Sequence, residues 1–205
     1  VMGAAAKNLT PVTLELGGKS PAIIAPGASM KDAVERICFG KSLNAGQTCI
    51  APDYILLPAG QEQDFIDTYQ ATFARMYPRL RDNSDYTAII NERQHQRLQS
   101  WVKDAAAKGA NITVVNPASE DCSGTRKMPL HIIQNGSADM KVLQEELFGP
   151  ILPIVPYRSL DQAIDYVNDH DRPLALYFFS YDKAEQQKIL ERTHAGGVTI
   201  NDTLM

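Results

Sequence analysis

The residues of this chain best suited to chemistry are a cysteine and a glutamate in two glycine-containing loops. Cys49 ends the segment Gly46-Gln47-Thr48-Cys49, which follows an amphipathic stretch and precedes a short apolar run. Glu15 stands just before Gly17-Gly18. A thiolate in such a turn can attack a carbonyl carbon, and a carboxylate can activate the water that releases the acyl group. The pair therefore favours covalent catalysis through a thioester.

Both residues also have plain structural explanations. A lone cysteine is more often a small packing residue than a nucleophile, and a strand glutamate usually faces solvent. Cys38 lies on the apolar stripe of a predicted helix, and Cys122 lies in a polar loop, so neither is a candidate. The residues alone leave both readings of Cys49 open.

The elements that must position these residues alternate along the chain. Period-two and continuous apolar runs predict strands at 12–16, 21–25, 54–57, 112–115, 130–133, 152–157, 174–180 and 198–201. Helical spacing predicts helices at about 30–45, 61–77, 91–108, 159–168 and 182–192. This alternation indicates a single α/β domain with a mainly parallel sheet.

Two details of this pattern lead to further expectations. The prolines in 152–157 favour an edge strand or a bend, because proline cannot donate to a ladder. Active sites of parallel sheets gather in the loops after the strands' carboxyl ends. We therefore expect the Glu15 loop and the Cys49 turn to meet at that edge.

Composition excludes several classes of function. The 205 residues are 44% hydrophobic and 21% charged, as in ordinary globular proteins, and the net charge of −4 disfavours nucleic acid or an anionic membrane surface as partner. We find no apolar run long enough to span a bilayer, no signal-peptide pattern and no G-x-G-x-x-G fingerprint. Three cysteines and four scattered histidines fit no disulfide framework or metal site. A reducing, cytoplasmic location is predicted.

Three segments together are more specific than any one of them. Residues 13–21, 46–49 and 145–150 resemble, in order and spacing, the signature segments of the aldehyde dehydrogenase family. The resemblance runs through all 205 residues. Segments 49–54, 173–177 and 196–205 are similar to the class 3, fatty-aldehyde and coniferyl-aldehyde branch. The resemblance implies a three-layer catalytic domain with helices on both faces of a mainly parallel sheet.

The resemblance also implies a role for the two loop residues. Cys49 matches the nucleophile, which forms a thiohemiacetal with the aldehyde and then, after hydride transfer to a nicotinamide, a thioester. Glu15 matches the general base that activates water to hydrolyse this thioester. The backbone N–H of Cys49 matches a donor of the oxyanion hole.

The same resemblance implies the cofactor contacts. Leu16 and Gly17 match the segment close to the nicotinamide. Glu146 matches the residue that holds the nicotinamide ribose hydroxyls, and Phe148 the one that packs near this ribose and ring. The cofactor is NAD or NADP, and the substrate is a small aldehyde: an aromatic one such as coniferyl aldehyde, or a medium- or long-chain aliphatic one.

Residues 1–205 are interpreted as the catalytic domain of a longer enzyme. The family's Rossmann-type cofactor domain, with an asparagine of the oxyanion hole, is expected before Val1, and an oligomerisation strand after Met205. NAD(P) would be bound mainly by the preceding domain, so the 205-residue chain alone is expected to have little activity. The full enzyme is expected to be a homodimer.

Two functions of other classes remain open at this point. Cys49 and Glu15 could serve a cofactor-independent thiol hydrolase acting on activated esters, although no histidine stands where it would activate the thiol. The chain could instead be a non-catalytic scaffold, although a scaffold has no need of Cys49, Glu15 and Glu146 together. An ester assay with and without cofactor, on the wild type and Cys49→Ala, would separate the hydrolase from the dehydrogenase, and slow alkylation of Cys49 would favour the scaffold.

Overall fold

The computed structural model describes residues 1–204, so Met205, the last residue of the segment 196–205, lies outside the described residues. One seven-stranded sheet forms the centre of the structure. In chain order its strands are β1 Pro21–Ile24, β2 Tyr54–Pro58, β3 Asn111–Val115, β4 Leu130–Gln134, β5 Ile151–Tyr157, β6 Ala175–Phe179 and β7 Gly197–Ile200. Their spatial order is β3-β4-β5-β2-β1-β6-β7. All neighbours are parallel except the antiparallel pair β3 and β4.

Helices cover both faces of this sheet. Their bounds are α1 Met2–Ala5, α2 Met30–Ser42, α3 Glu62–Met76, α4 Glu92–Ala107, α5 Lys141–Gln144, α6 Leu160–Asn168 and α7 Lys183–Arg192. Ser29 caps α2 by accepting the Asp32 N–H at 3.3 Å. A 3₁₀ turn, Leu43–Gly46, follows α2 directly.

The side chains of the strands divide into two cores. Ile24 and Leu57 point to the face covered by α2 and α3. Ile23 and Leu56 point to the other face, where α6 and α7 cover one half and α4 and α5 the other. Because the central strands are buried on both faces, they are continuous apolar runs rather than alternating ones. The predicted three-layer, mainly parallel α/β fold is confirmed.

The predicted strand at 12–16 is wrong. This segment is irregular and exposed, and no strand of residues 1–204 pairs with it. Val12, Leu14 and Leu16 alternate as in a strand, but β1 is already flanked on both sides, by β2 and β6. An alternating pattern needs a neighbouring ladder, and β1, the strand that follows this segment, has none to offer.

The prediction of an edge position for residues 152–157 is also wrong. β5 lies inside the sheet, between β4 and β2. Its ladder with β4 covers residues 151–153, and its ladder with β2 covers 154–157. Pro153 is therefore the last residue of one ladder and Pro156 lies near the end of the other, so each proline removes a donor where a ladder ends.

None of the helices within residues 1–204 is both long and apolar enough to cross a bilayer.

Candidate active site

The three signature segments meet at one edge of the sheet, but it is not the expected edge. Residues 17–20 lead into β1, the Cys49 turn leads into β2, and residues 145–150 lead into β5. These strands are neighbours in the order β5-β2-β1 and run parallel, so the segments before them lie side by side. The site is thus at the amino ends of the strands, and the expectation of a carboxyl-end site is wrong. That expectation depended on the strand at 12–16, which does not form.

The turn that carries Cys49 has an unusual backbone. Asn44, Ala45 and Gly46 have φ values of 51°, 52° and 74° in succession. Left-handed backbone is costly for residues other than glycine and persists only where surrounding contacts impose it. Gln47 supplies such contacts, because its amide donates to Asn44 O at 3.0 Å and to Ala88 O at 3.1 Å. Its side-chain oxygen also accepts the Ile90 N–H at 2.9 Å.

Gly46 holds this turn against the loop that follows Phe148. A Cβ at Gly46 would lie 2.6 Å from the carbonyl oxygen of Gly149 and 3.2 Å from that of Lys41. Both neighbours are backbone atoms, so a side chain at this position would separate the two segments. Glycine is required here both for its φ and for the close approach.

We expect Gly46→Ala to lower the free energy of unfolding more than Gly60→Ala does. Gly60 is the matched control, since its φ of 92° is also left-handed but a Cβ there would have no atom within 4 Å. The left-handed φ costs about 1–2 kcal/mol in each variant, and overpacking adds about 1–3 kcal/mol at Gly46 only. Urea unfolding of the two variants measures the difference, and equal losses would contradict this reading of the turn.

Cys49 itself is partly exposed, between the 3₁₀ turn and β2. Within residues 1–204 its backbone N–H has no acceptor, so this group is free to bind an oxyanion. The carbonyl of the next residue, Ile50, accepts a hydrogen bond of 2.5 Å from the hydroxyl of Tyr177 in β6. Burial raises the pKa of Tyr177 to about 12, which keeps its hydroxyl a neutral donor.

The other two cysteines are unsuited to nucleophilic work. Cys38 is fully buried on α2, and burial raises its pKa to about 12, so thiolate is scarce at neutral pH. Burial, with Glu120 nearby, also raises the pKa of Cys122. Cys49 is therefore the remaining candidate nucleophile: it is partly exposed and lies in the turn that contacts the loop after Phe148.

The glycine pair before β1 forms a flat surface beside a carboxylate. Gly17 and Gly18 have φ values of 74° and 124°. A Cβ at Gly17 would lie 2.7 Å from Oε1 of Glu146, so this carboxylate lies directly against the glycine pair. Partial burial raises the pKa of Glu146, while the backbone N–H of Gly18 opposes the rise. The structure therefore brings Gly17 and Glu146 together.

Leu16 and Phe148 present apolar side chains at the same edge. Their exposed fractions are 82% and 43%. Phe148 also has a left-handed φ of 48°, which is strained for an aromatic residue. Strained residues cluster at ligand sites, which makes this loop a candidate binding element.

Glu15 is the candidate that the structure leaves apart. It lies in the exposed irregular segment rather than at the end of a strand. In the described part of the chain, no hydrogen bond or ion pair joins it to Cys49. Its role therefore stays a prediction from the resemblance.

Sequence reasoning missed a buried charged cluster behind the site. Asp53 is 3% exposed and accepts hydrogen bonds from the Lys19 ammonium and from the Leu147 N–H, the latter at 2.8 Å. Lys41 is 1% exposed, and burial lowers its pKa to about 8 despite the nearby Asp53 carboxylate. The sequence did carry a signal, because each charged residue adjoins an apolar run. Asp53 directly precedes β2, and Lys41 follows the buried Ile37 and Cys38 on α2.

A cavity of about 930 Å³ lies elsewhere, between α4 and the loop at 120–129. His95, Cys122 and His131 line it, and none of the candidate site residues does. The candidate site is instead an open edge, on which Leu16 and Phe148 face outward.

Comparisons with known proteins identify the family of this chain. A family model described as the aldehyde dehydrogenase family matches residues 1–205. The chain belongs to the aldehyde dehydrogenase family. A relative from Pseudomonas aeruginosa, named as a probable coniferyl aldehyde dehydrogenase, is 56% identical over 205 residues, covering 100% of this chain and 42% of the relative. Aldehyde dehydrogenase family 3 member A2 of Mus musculus is 44% identical, with coverage of 100% and 41%.

A solved aldehyde dehydrogenase has the same fold. The structure described as the substrate-bound state of Staphylococcus aureus AldH superposes with a TM-score of 0.91 at 41% identity, covering 100% of this chain and 43% of that one. The predicted resemblance to the class 3 and coniferyl-aldehyde branch is confirmed by these relatives. The chain spans about two fifths of the length of the curated relatives it matches.

Proposed function

We propose that this chain is the catalytic domain of an NAD(P)-dependent aldehyde dehydrogenase that oxidises an aldehyde to a carboxylic acid. The supporting observation is the contact of the three family segments at one sheet edge, with a partly exposed thiol on one of them. Residues 1–205 form one domain of the longer protein. That protein is a cytoplasmic homodimer whose preceding domain binds most of the cofactor.

The first step uses Cys49. Its thiolate adds to the aldehyde carbon and forms a C–S bond, while the new oxyanion accepts the free N–H of Cys49. The cofactor, when bound, supplies the nicotinamide that takes the hydride from this carbon. A thioester then remains on Cys49.

Glu15 completes the cycle. Its carboxylate takes a proton from a water molecule, and the water oxygen attacks the thioester carbon. The C–S bond breaks, the Cys49 thiolate is regenerated, and the acid leaves.

The residues at this edge fit the nicotinamide end of a dinucleotide. Gly17 has no Cβ, which lets the Glu146 carboxylate lie directly against its backbone. Glu146 offers a carboxylate for ribose hydroxyls, and Leu16 and Phe148 offer apolar cover. NAD and NADP differ far from these residues, so both remain candidates.

The proposed substrate is an aromatic aldehyde such as coniferyl aldehyde, with medium- or long-chain aliphatic aldehydes as the alternative. Relatives named for coniferyl aldehyde are 56% and 50% identical to this chain, against 44% for the family 3 member A2 protein of Mus musculus. The aldehyde is a small molecule, and the net charge of −4 disfavours nucleic acid as a partner.

The test is an assay of the full-length protein for NADH or NADPH formation with coniferyl aldehyde and with an aliphatic aldehyde. We expect aldehyde-dependent reduction of at least one dinucleotide, and much less from residues 1–205 alone. Ester hydrolysis without any aldehyde oxidation would instead favour the thiol hydrolase.

A further inference from the structure

A buried carboxylate connects the nucleophile segment with the loop that carries Glu146. Asp53 follows Cys49 by four positions and precedes β2. Its own N–H donates to Ser20 O at 2.8 Å, and its carboxylate accepts the Leu147 N–H at 2.8 Å. Asp53, which is 3% exposed, thereby contacts the 13–21 segment through its backbone and the 145–150 segment through its side chain.

Lys19 completes this connection from the other side. Its ammonium pairs with Asp53 and also donates to Val142 O at 3.0 Å and to Glu145 O at 2.9 Å. The three protons of an ammonium group are thus all used. Lys19 follows Gly18 directly, so its backbone belongs to the glycine surface that faces Glu146.

The pair holds the peptide groups on both sides of Glu146. Lys19 binds the carbonyl of Glu145, and Asp53 binds the N–H of Leu147. From the outside, Arg97 donates to Leu147 O at 2.6 Å and to Glu146 O at 3.3 Å. The backbone of Glu146 is therefore fixed by contacts before and after it, while its carboxylate lies against Gly17 and Gly18.

The net contribution of this buried ion pair to fold stability is expected to be small. Buried ion pairs often add no stability relative to apolar residues of similar volume, because desolvation offsets the attraction. Here the Asp53 carboxylate also favours the charged form of a second buried ammonium, Lys41, whereas the nearby Lys19 ammonium disfavours it. What the cluster does supply is a fixed backbone geometry on both sides of Glu146.

We propose that Asp53 and Lys19 are positioning residues that set the place of the Glu146 carboxylate for the nicotinamide ribose. The inference rests on the proposed function, in which Glu146 binds that ribose. Without the charge on Asp53, Glu146 is the carboxylate that remains near Lys19 and Lys41. It would turn inward to these ammonium groups and away from the cofactor.

The experiment uses the full-length enzyme and the variant Asp53→Asn, which keeps the shape and an oxygen for the Leu147 N–H. We expect KM for the dinucleotide to rise on the order of 10-fold to 100-fold, because small misplacements of a positioning group have effects of this size. A primary isotope effect with aldehyde deuterated at C1 should also appear or increase. Alkylation of Cys49 should keep its wild-type rate.

Two further variants make the result specific. Asp161→Asn is the matched control, because Asp161 also pairs with two cations, Lys188 and Arg192, but at the surface. It should change neither KM nor the isotope effect. Lys19→Met/Asp53→Leu removes both charges together, so it leaves neither partner as an unpaired buried charge and provides the second test if Asp53→Asn does not fold. It should show the same rise in KM.

Wild-type KM and isotope effect in the folded double variant would overturn the inference while leaving the proposed function intact. A wild-type protein that oxidises no aldehyde would instead overturn the proposed function and this inference with it. A fall in thermal stability with unchanged kinetics would mean that the pair is only structural, and would count against the inference.

Discussion

Replacing Cys49 by alanine in the full-length protein is expected to reduce aldehyde oxidation by at least about ten-thousand-fold. Removing the nucleophile of a covalent mechanism has effects of this order, because no other group can form the intermediate. Alanine leaves the free N–H of residue 49 and the turn from Asn44 to Gln47 in place. Dinucleotide binding should therefore remain close to that of the wild type.

The control for this variant is Cys122→Ala. Cys122 is also a partly exposed free cysteine, but it lies in the polar loop and lines the cavity beside α4. It should keep wild-type turnover, measured as NADH or NADPH formation under identical conditions. Substantial turnover by Cys49→Ala would eliminate Cys49 as the nucleophile.

The second large effect is expected for Glu15→Gln. A general base contributes about 10²-fold to 10⁴-fold, and here it serves only the hydrolysis of the thioester. Steady-state turnover should fall about a hundredfold or more, while acylation remains fast. Rapid mixing should then reveal a burst of reduced cofactor before slow turnover.

Glu35→Gln provides the comparison for Glu15→Gln. Glu35 is an exposed glutamate whose only ion pair is with Arg75 at 3.0 Å within the described chain, and its loss should leave both phases unchanged. If Glu15→Gln slowed acylation and hydrolysis equally, Glu15 would not be the base of deacylation. That result would matter particularly because no hydrogen bond or ion pair within residues 1–204 joins Glu15 to Cys49.

Local sequence patterns predicted the strands that are buried on both faces and the helices with a clear apolar stripe. The apolar runs that became β1, β2 and β6 are buried on both faces, and helical spacing located α2, α3 and α4 to within a few residues. The pattern at 12–16 failed because alternation reports a tendency to pair and not the presence of a partner. The interior position of β5 was missed because the sequence does not show where its ladders with β4 and β2 end, and the two prolines lie at or near those ends.

The site shows the same division. Residue types and spacing indicated Cys49 as one candidate nucleophile, whereas Glu146 was indicated only by the resemblance to the family. Asp53 was missed because its partner, the Leu147 N–H, lies 94 positions further along the chain. The edge of the sheet was misjudged for a related reason, because strand order and direction are set by contacts between distant segments.

The order of the strands also bears on how the protein is made. The Cys49 turn precedes Glu146 by roughly a hundred residues, which is about 5–20 s of ribosomal synthesis. During that interval β2 lacks β5, its later neighbour, and the turn lacks the loop at Gly149 against which Gly46 packs. The nascent chain is therefore the form in which the Cys49 turn is least constrained.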